Sequence, residues 1–413
     1  MYLIEKIRKK GFIGTIKKII EISSKCINVI FYYIFFITPI DTKLIVFESE
    51  GDLSDNAFAL YDYMKKKGLL KKYKAVWMVD SIKEAEIYKF ENTIFINKTP
   101  CFIDICRMYY LAKCQWYIYD HCNLLSNLYT KKEKKIIYLS HGWGYKAAKE
   151  IDNKKKTATS PNYICATGVL SAQGLAAYWQ EPMEKMLITG YPRIDYFYFR
   201  NQQVEKKIEE LYDLNTYKKI LFWMPTFRKS NISHLSEDYN HYQTGLPIFE
   251  TEEDLEKFDT FLYENNFLMI FKLHHLQAEL PIFNKKYKNI IILRDRELYQ
   301  QKVQLYQVIK YADVVISDYS SITIDVLPLD IPLIYTLDDY EEYKKNRGIY
   351  PENAIEYMPG YHVYNINDLQ NSLIEISNGI DKFKADRSKL LKLYHEYNDG
   401  NSSKRILNFL RIE

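Results

Sequence analysis

Asp313-Val-Val-Ile-Ser317-Asp318-Tyr319-Ser320-Ser321-Ile-Thr323-Ile-Asp325 reads as a buried strand, a short polar turn and the start of a helix. The run VVIS has no alternating polar position, as expected of a strand covered on both faces of a parallel sheet. Ser320 and Ser321 fall where N-cap and first-turn residues belong. Free N–H groups, the helix dipole and two hydroxyls can make such an end an anion site; the plain alternative is an ordinary capped helix. The chain contains no Walker sequence, so the turn is not a P-loop.

The same grammar extends outward in both directions. Upstream, apolar runs at 44–50, 75–80, 93–97, 115–120, 136–141, 163–168 and 186–190 read as strands separated by helical patterns, the first of them 56–67. A charged stretch at 200–218, containing EKKIEELYDL, has helix-forming composition and joins this set to a second. The second set has runs at 220–227, 267–275, 291–296, 314–321 and 332–337, and the tail 383–413 reads as two helices. Strand–helix alternation given twice predicts an α/β chain of two doubly wound Rossmann-type domains, 41–210 and 211–413, facing an interdomain cleft. Ligands of such sheets bind outside the carboxyl ends of the strands.

Composition narrows the function. The 413 residues are 47% hydrophobic and 27% charged, which excludes a disordered chain and a polytopic membrane protein. Lys+Arg 57 against Asp+Glu 53 gives +4, no basis for a general nucleic-acid binder. The six cysteines form no CxxC pair; four lie between 101 and 122, with His121 beside Cys122, at spacings that fit no common zinc site. No metal is expected. Residues 1–40 stand apart: Lys6, Arg8, Lys9, Lys10, Lys17, Lys18 and Lys25 precede an uncharged run at 27–40. As a helix that run is about 21 Å long, short of a ~30 Å hydrocarbon core. A basic amphipathic stretch beside a short apolar run suits a helix lying in the membrane's cytoplasmic face; packing on its own domain and a true span are the alternatives.

The polar residues at the strand ends carry the chemistry. Ser140-His141-Gly142-Trp143-Gly144-Tyr145-Lys146 follows IIYL, and an imidazole at that end can take a proton from a hydroxyl. A histidine packed at a turn is the competing reading. Gly142 to Ala147 also satisfies G-x-G-x-x-A, but the acidic residue of a dinucleotide site is missing from 160–170. In Gly190-Tyr191-Pro192-Arg193-Ile194-Asp195, Arg193 can grip an anion and Asp195 can cap the next helix, or the two form a surface turn. In Met224-Pro225-Thr226-Phe227-Arg228, Arg228 is placed to clamp a phosphate. In Lys272-Leu273-His274-His275, alternation puts Lys272 and His274 on one side of the strand.

HGxxxK, GYPRxD, PTFR, KLH and SDYSSxxxD, followed by Pro332-Leu-Ile-Tyr335 and Arg347-Gly348-Ile349-Tyr350, come in the order and spacing of the CDP-glycerol glycerophosphotransferases. The sequence resembles these teichoic-acid primases and polymerases closely over about 130–360 and loosely elsewhere. The resemblance implies a GT-B-like fold, a CDP-alditol donor held by the second domain, and a lipid-linked or saccharide acceptor at the cytoplasmic face of the bacterial membrane. It implies peripheral attachment and teichoic-acid or capsule-type polymer synthesis. It assigns His141 and His274 as catalytic, and Arg228, Lys272, Asp318, Ser320 and Ser321 to the donor phosphates. Trp143, Lys146, Arg193 and Asp195 fall on the acceptor side, with no cofactor beyond a loosely bound Mg²⁺ at most. Two departures stand out: Trp143 and Gly144 replace the Thr-Pro of HGTPLK, and His275 replaces the proline of KLHP. Both bear on which alditol or acceptor is used.

The expected reaction moves an alditol phosphate, glycerol phosphate first, onto a hydroxyl deprotonated by His141 from the first domain. Positioning and electrostatics dominate such transfers. A GT-B glycosyltransferase using a nucleotide sugar shares the fold and anion site; release of CMP rather than UDP or GDP separates the two. A non-catalytic membrane-attached subunit of an assembly complex predicts binding without turnover.

Overall fold

The structure, a computed structural model, describes residues 2–99, 103–147, 159–228 and 242–413. Its first sheet contains β1 (Asp41–Glu48), β2 (Lys74–Val79), β3 (Thr93–Asn97), β4 (Cys114–Tyr119), β5 (Lys135–Tyr138), β6 (Tyr163–Ala166) and β7 (Met186–Ile188). Their order is β3-β2-β1-β4-β5-β6-β7. The second contains β8 (Lys219–Trp223), β9 (Phe267–Phe271), β10 (Ile290–Ile292), β11 (Val314–Ser317), β12 (Leu333–Thr336) and β13 (Tyr361–Val363), in the order β10-β9-β8-β11-β12-β13. The registers of β1 with β2 and β4, and of β8 with β9 and β11, are parallel. All twelve apolar runs read from the sequence are strands. β13 was not anticipated, because Tyr361-His362-Val363 is too short and mixed to stand out.

Two compact units result, one of Met1–Leu139 with Asn153–Ile164 and one of Ser140–Asp152 with Cys165–Glu413. The helix Gln202–Tyr212 forms in the stretch expected to join the domains, but it lies inside the second unit, whose boundary falls at 164/165 rather than at 210. In the first unit, Phe47 and Trp77 of the sheet pack ring against ring with Tyr61 of the helix Asp55–Lys66. In the second, Trp223 stacks on Phe271 at 5.1 Å and meets Phe249, within a core that runs to Leu369 and Leu373. Burying each such large apolar side chain contributes roughly 1.5–3 kcal/mol.

The amino-terminal segment is one helix, Tyr2–Phe36, longer than the run at 27–40 suggested. Its apolar window Ile19–Phe36 has 18 residues, about 27 Å. One face is polar and docks on the first unit. Asn28 accepts from the Asp104 N–H at 2.8 Å, the Tyr32 hydroxyl donates to the Tyr129 carbonyl at 3.0 Å, and Phe35 meets Tyr109 edge-on. Ile16, Ile19, Ile20, Ile30 and Ile34, offset around the helix from Asn28 and Tyr32, are exposed. The basic side chains at 6–10, 17 and 18 lie outside the described residues.

The carboxyl-terminal helices Lys384–Tyr394 and Ser402–Phe409 pack within the second unit. There the buried His395 ring holds the Ile324 carbonyl through Nε2 at 2.8 Å, so that nitrogen carries the proton. Burial depresses its pKa to about 4. The unfolded chain, with histidine near 6.5, therefore binds more protons than the native one between those values, and stability falls on acidification from pH 6.5 to about 4. His395→Gln, which keeps an N–H donor, should remove up to about 3 kcal/mol of that fall, as read from urea unfolding at pH 7 and pH 4.5.

Candidate functional site

β8 and β11 are neighbours at the point where the strand order of the second sheet reverses, the place where open α/β sheets hold ligands. Two of the singled-out motifs leave the sheet there. The carboxylate of Asp318, fully buried after β11, accepts from the Thr226 N–H at 3.0 Å and the Thr226 hydroxyl at 2.7 Å. It also pairs with Arg228 Nη1 at 2.6 Å. Arg228 in turn grips Asp339 through Nε and Nη2 at 2.6 and 3.0 Å and donates from Nη1 to the Thr226 carbonyl. The Tyr319 hydroxyl adds a bond to Asp339 at 3.0 Å. Burial opposes the guanidinium charge, but the two carboxylates outweigh it and raise the Arg228 pKa well above its ordinary value.

Arg228 is therefore not the phosphate clamp expected of it. Its side chain is 0% exposed and committed to two carboxylates, and it acts by fixing the turn that presents Ser320 and Ser321. Asp318 likewise faces Thr226 and Arg228 rather than an open anion site. The helix after the turn is only Ile322–Asp325, and Ser321 makes no side-chain cap. The turn's capacity for an anion thus lies in hydroxyls more than in a helix dipole. The Ser320 hydroxyl makes no hydrogen bond among the described residues and is partly exposed. Asp339 and Tyr319 were not singled out in the sequence; the signal available was the acidic pair ending PLIYTLDD at the next strand end.

The HGWGYK loop packs directly on this turn. Ser140 and Gly142 take φ of +62° and +96°. The His141 carbonyl accepts from Arg193 Nη2 at 2.9 Å and lies 3.5 Å from the Ser321 hydroxyl. The Tyr145 N–H donates to the Tyr319 carbonyl at 3.2 Å, and Lys146 bridges antiparallel to Ile349 of the RGIY motif. A Cβ on Gly142 would meet Ser321 Oγ at 2.5 Å, and one on Gly144 would meet the Tyr319 oxygen at 2.1 Å. The proline of the related HGTPLK pattern has no room here, so Gly144 is a steric requirement of this chain. The expectation grouped His141 with the first domain, whereas residues 140–147 pack in the second unit. The imidazole stands at an exposed position, next to the serines.

Trp143 is buried rather than on an acceptor surface. Its Nε1 donates to the Lys146 carbonyl at 3.1 Å, and its ring fills the space a Cβ on Gly174 would take. The Lys146 ammonium makes no hydrogen bond or ion pair among the described residues. Burial lowers its pKa and nearby Asp318 raises it, while the cations of Arg347 and Arg228 lower it further. Lys146 is thus grouped by charge with the serine turn, not apart from it. Arg193 is buried against Asp325 and the Tyr306 ring, which leaves it no free edge for an anion. Asp195 caps the helix Ser402–Phe409, accepting from the Ser402 and Ser403 N–H groups at 2.9 Å each, and not the next helix, whose N-cap is Asn201.

His274 caps the short helix His275–Ala278 through Nδ1 and meets the Phe227 ring at a tilt, 4.7 Å between centroids, which ties KLHH to MPTFR. Lys272 turns to Asp295 at 3.1 Å. The structure therefore gathers HGWGYK, GYPRID, MPTFR and SDYSSITID around residues 318–325, with KLHH reached through Phe227. Among the described residues, no group of three or more His, Cys, Asp or Glu side chains is placed to hold a metal ion.

A family model described as CDP-glycerol:poly(glycerophosphate) glycerophosphotransferase matches residues 30–411. The chain belongs to that family. It is 24% identical over 397 residues to the teichoic acid poly(glycerol phosphate) polymerase of Bacillus spizizenii, covering 90% of this chain and 93% of that one. It is 25% identical over 389 residues to the teichoic acid glycerol-phosphate primase of Bacillus subtilis, covering 89% and 91%. In fold it is similar to the wall teichoic acid polymerase TagF, with a TM-score of 0.71 at 19% identity and 96% of each chain covered. The family is one of transferases, and its two-sheet α/β fold is the one the strand pattern predicted.

Arg228→Ala leaves Asp318 and Asp339 buried without their cation and should cost about 3–5 kcal/mol of stability. Arg228→Lys, which cannot make the forked contact, should recover only part of it. Chemical denaturation reads both; an unchanged midpoint in Arg228→Ala would return the residue to direct ligand contact.

Proposed function

We propose that this protein transfers glycerol phosphate from CDP-glycerol to a hydroxyl of a lipid-linked or saccharide acceptor at the inner face of the membrane, in teichoic-acid-type polymer synthesis. The observation that carries the reading is the docking of the HGWGYK loop on the SDYSS turn. It groups an exposed histidine, two serines and a lysine without an ion pair among the described residues around one strand end.

His141 takes the proton of the acceptor hydroxyl. The oxygen then attacks the phosphorus that bears glycerol, the bond from that phosphorus to the bridging oxygen breaks, and CMP leaves. Lys146, Ser320 and Ser321 offset charge on the diphosphate, and His274 contributes from the neighbouring strand end. Arg228, Asp318 and Asp339 hold the serine turn in place without touching the donor.

Purified protein given CDP-glycerol and a lipid-linked or soluble saccharide acceptor should release CMP and lengthen the acceptor. His141→Ala should lower turnover by about 10²–10⁴-fold, the range for a lost general base, with little effect on melting. Ser320→Ala with Ser321→Ala should weaken CDP-glycerol binding in calorimetry. Turnover above a tenth of the parent's in folded His141→Ala protein would remove the histidine from the base role.

The membrane reading rests on the helix Tyr2–Phe36. A helix that docks by polar side chains and leaves isoleucines outward is the reverse of a soluble amphipathic helix, and the sequence supplies basic residues for anionic lipid. Ile19→Glu, Ile30→Glu and Ile34→Glu together should release the protein from anionic vesicles in a flotation assay while leaving its melting temperature unchanged. Retained flotation would place the attachment elsewhere.

A further inference from the structure

Behind the HGWGYK loop lies a second buried ion pair, Arg193 with Asp325, whose side chains are 5% and 1% exposed. Arg193 Nη2 meets Asp325 Oδ2 at 2.5 Å, and the same nitrogen donates to the His141 carbonyl at 2.9 Å. Tyr306, from the helix Leu305–Ile309, reaches this pair twice. Its hydroxyl donates to Asp325 Oδ2 at 2.5 Å, and its ring lies 4.7 Å from the Arg193 guanidinium carbon. Phe197 stacks on that ring at 5.6 Å, at the end of the short helix Pro192–Phe197 that begins beside Arg193. Tyr306 lies outside all of the strand-end motifs.

The guanidinium is thereby held on three sides, by a ring, a carboxylate and the carbonyl it serves. Asp325 belongs to the helix that follows the serine turn, and the Ile324 and Asp325 N–H groups both donate to the Ser321 carbonyl at 3.0 Å. A closed circuit results: the helix carrying the serine turn supplies Asp325, Asp325 aims Arg193, and Arg193 holds the main chain of His141. The Ser321 hydroxyl, 3.5 Å from the same carbonyl, completes it. Every member belongs to the second unit.

The backbone at His141 needs such a hold. Ser140 takes a φ of +62°, a left-handed conformation uncommon for a non-glycine residue, and Gly142 follows at +96°. Backbone of this kind persists only where its surroundings over-determine it, and such places gather at functional sites. Burying a guanidinium and a carboxylate this completely adds little stability compared with an apolar core, so stability alone does not account for the pair. Its directional effect does: it fixes the orientation of one peptide carbonyl, and with it the point from which the imidazole projects.

We propose that Tyr306 and Asp325 are positioning residues for the transfer, aiming Arg193 at the His141 carbonyl and so setting where the His141 imidazole stands against Ser320 and Ser321. The proposal rests on the transferase reading, in which His141 takes the acceptor proton. Tyr306 and Asp325 are both buried and act on the reaction only through Arg193 and His141.

Tyr306→Phe tests this with the smallest change, since the ring between Phe197 and Arg193 stays and only the hydroxyl goes. Turnover is read per folded protein, below the onset of melting. The variant should lower kcat by about 10–10²-fold, the scale of a small misplacement of a reacting group, with CDP-glycerol affinity in calorimetry within about twofold of the parent's. Asp325→Asn should do the same. In a His141→Ala background neither change should lower the residual turnover further, because residues that act as one unit are not additive. Equal losses in the two backgrounds would overturn the proposal by showing a general structural effect. An unchanged kcat in Tyr306→Phe would overturn it by showing the hydroxyl to be dispensable.

A second readout needs no turnover. In protein with isotope-labelled histidine rings, the His141 resonance, assigned by its absence from His141→Ala, should shift in Tyr306→Phe, while that of His362 on the edge strand β13 stays in place. An unmoved His141 resonance would overturn the positioning role. A parent protein that releases no CMP from CDP-glycerol would sink the transferase reading instead, and the resonance would then decide the positioning role by itself.

Discussion

A single buried cation organises the second unit's site. Arg228 lies between Asp318 and Asp339, which belong to the ends of two adjacent strands, and its guanidinium fork satisfies both carboxylates at once. Its loss would leave the fully buried Asp318, and the largely buried Asp339, without their cation. With the three locked, the Asp318 carboxylate is available to fix the Thr226 backbone, and the Tyr319 carbonyl is presented to the HGWGYK loop. The loop can reach that carbonyl because position 144 lacks a Cβ. Charge pairing, turn geometry and close backbone approach therefore form one chain of dependence that ends at His141.

Much of this was legible in the sequence, and for identifiable reasons. Apolar runs without alternation mark strands buried on both faces, and each was a strand. The motifs stood at strand ends, where a parallel sheet collects its chemistry, so their grouping followed from topology. What sequence could not supply was partner choice. Arg228 beside a strand end looks like an anion clamp until Asp339, 111 residues on, is found against it. Arg193 has the same history with Asp325, 132 residues away. A cation and a distant carboxylate leave no periodic signal, so local reading assigns to a ligand what the fold assigns to itself.

The first unit's strand ends read less plainly. His121 was weighed only with the cysteines around it, as a metal ligand, and set aside on spacing. The pattern those ends share is a charged residue at or just beyond the end of four strands in succession, Glu48, Asp80, Lys98 and Asp120. Glycines and serines mark such strand ends in unit 2. Unit 1's strand ends carry no such marks, although the same topological rule applies to both sheets.

Residues 140–147 follow β5 of the first sheet, yet they pack with the second unit. The spacing of His141 from Ser320 and Ser321 is therefore set inside one compact unit, by the Tyr145–Tyr319 bond and by Arg193 holding the His141 carbonyl. A histidine anchored by its backbone to the turn that bears Ser320 and Ser321 keeps its distance to them for as long as that unit holds together. In a transfer that depends mostly on positioning, that is the distance worth fixing in the fold. The side chain of His141 stands at an exposed position beside that turn.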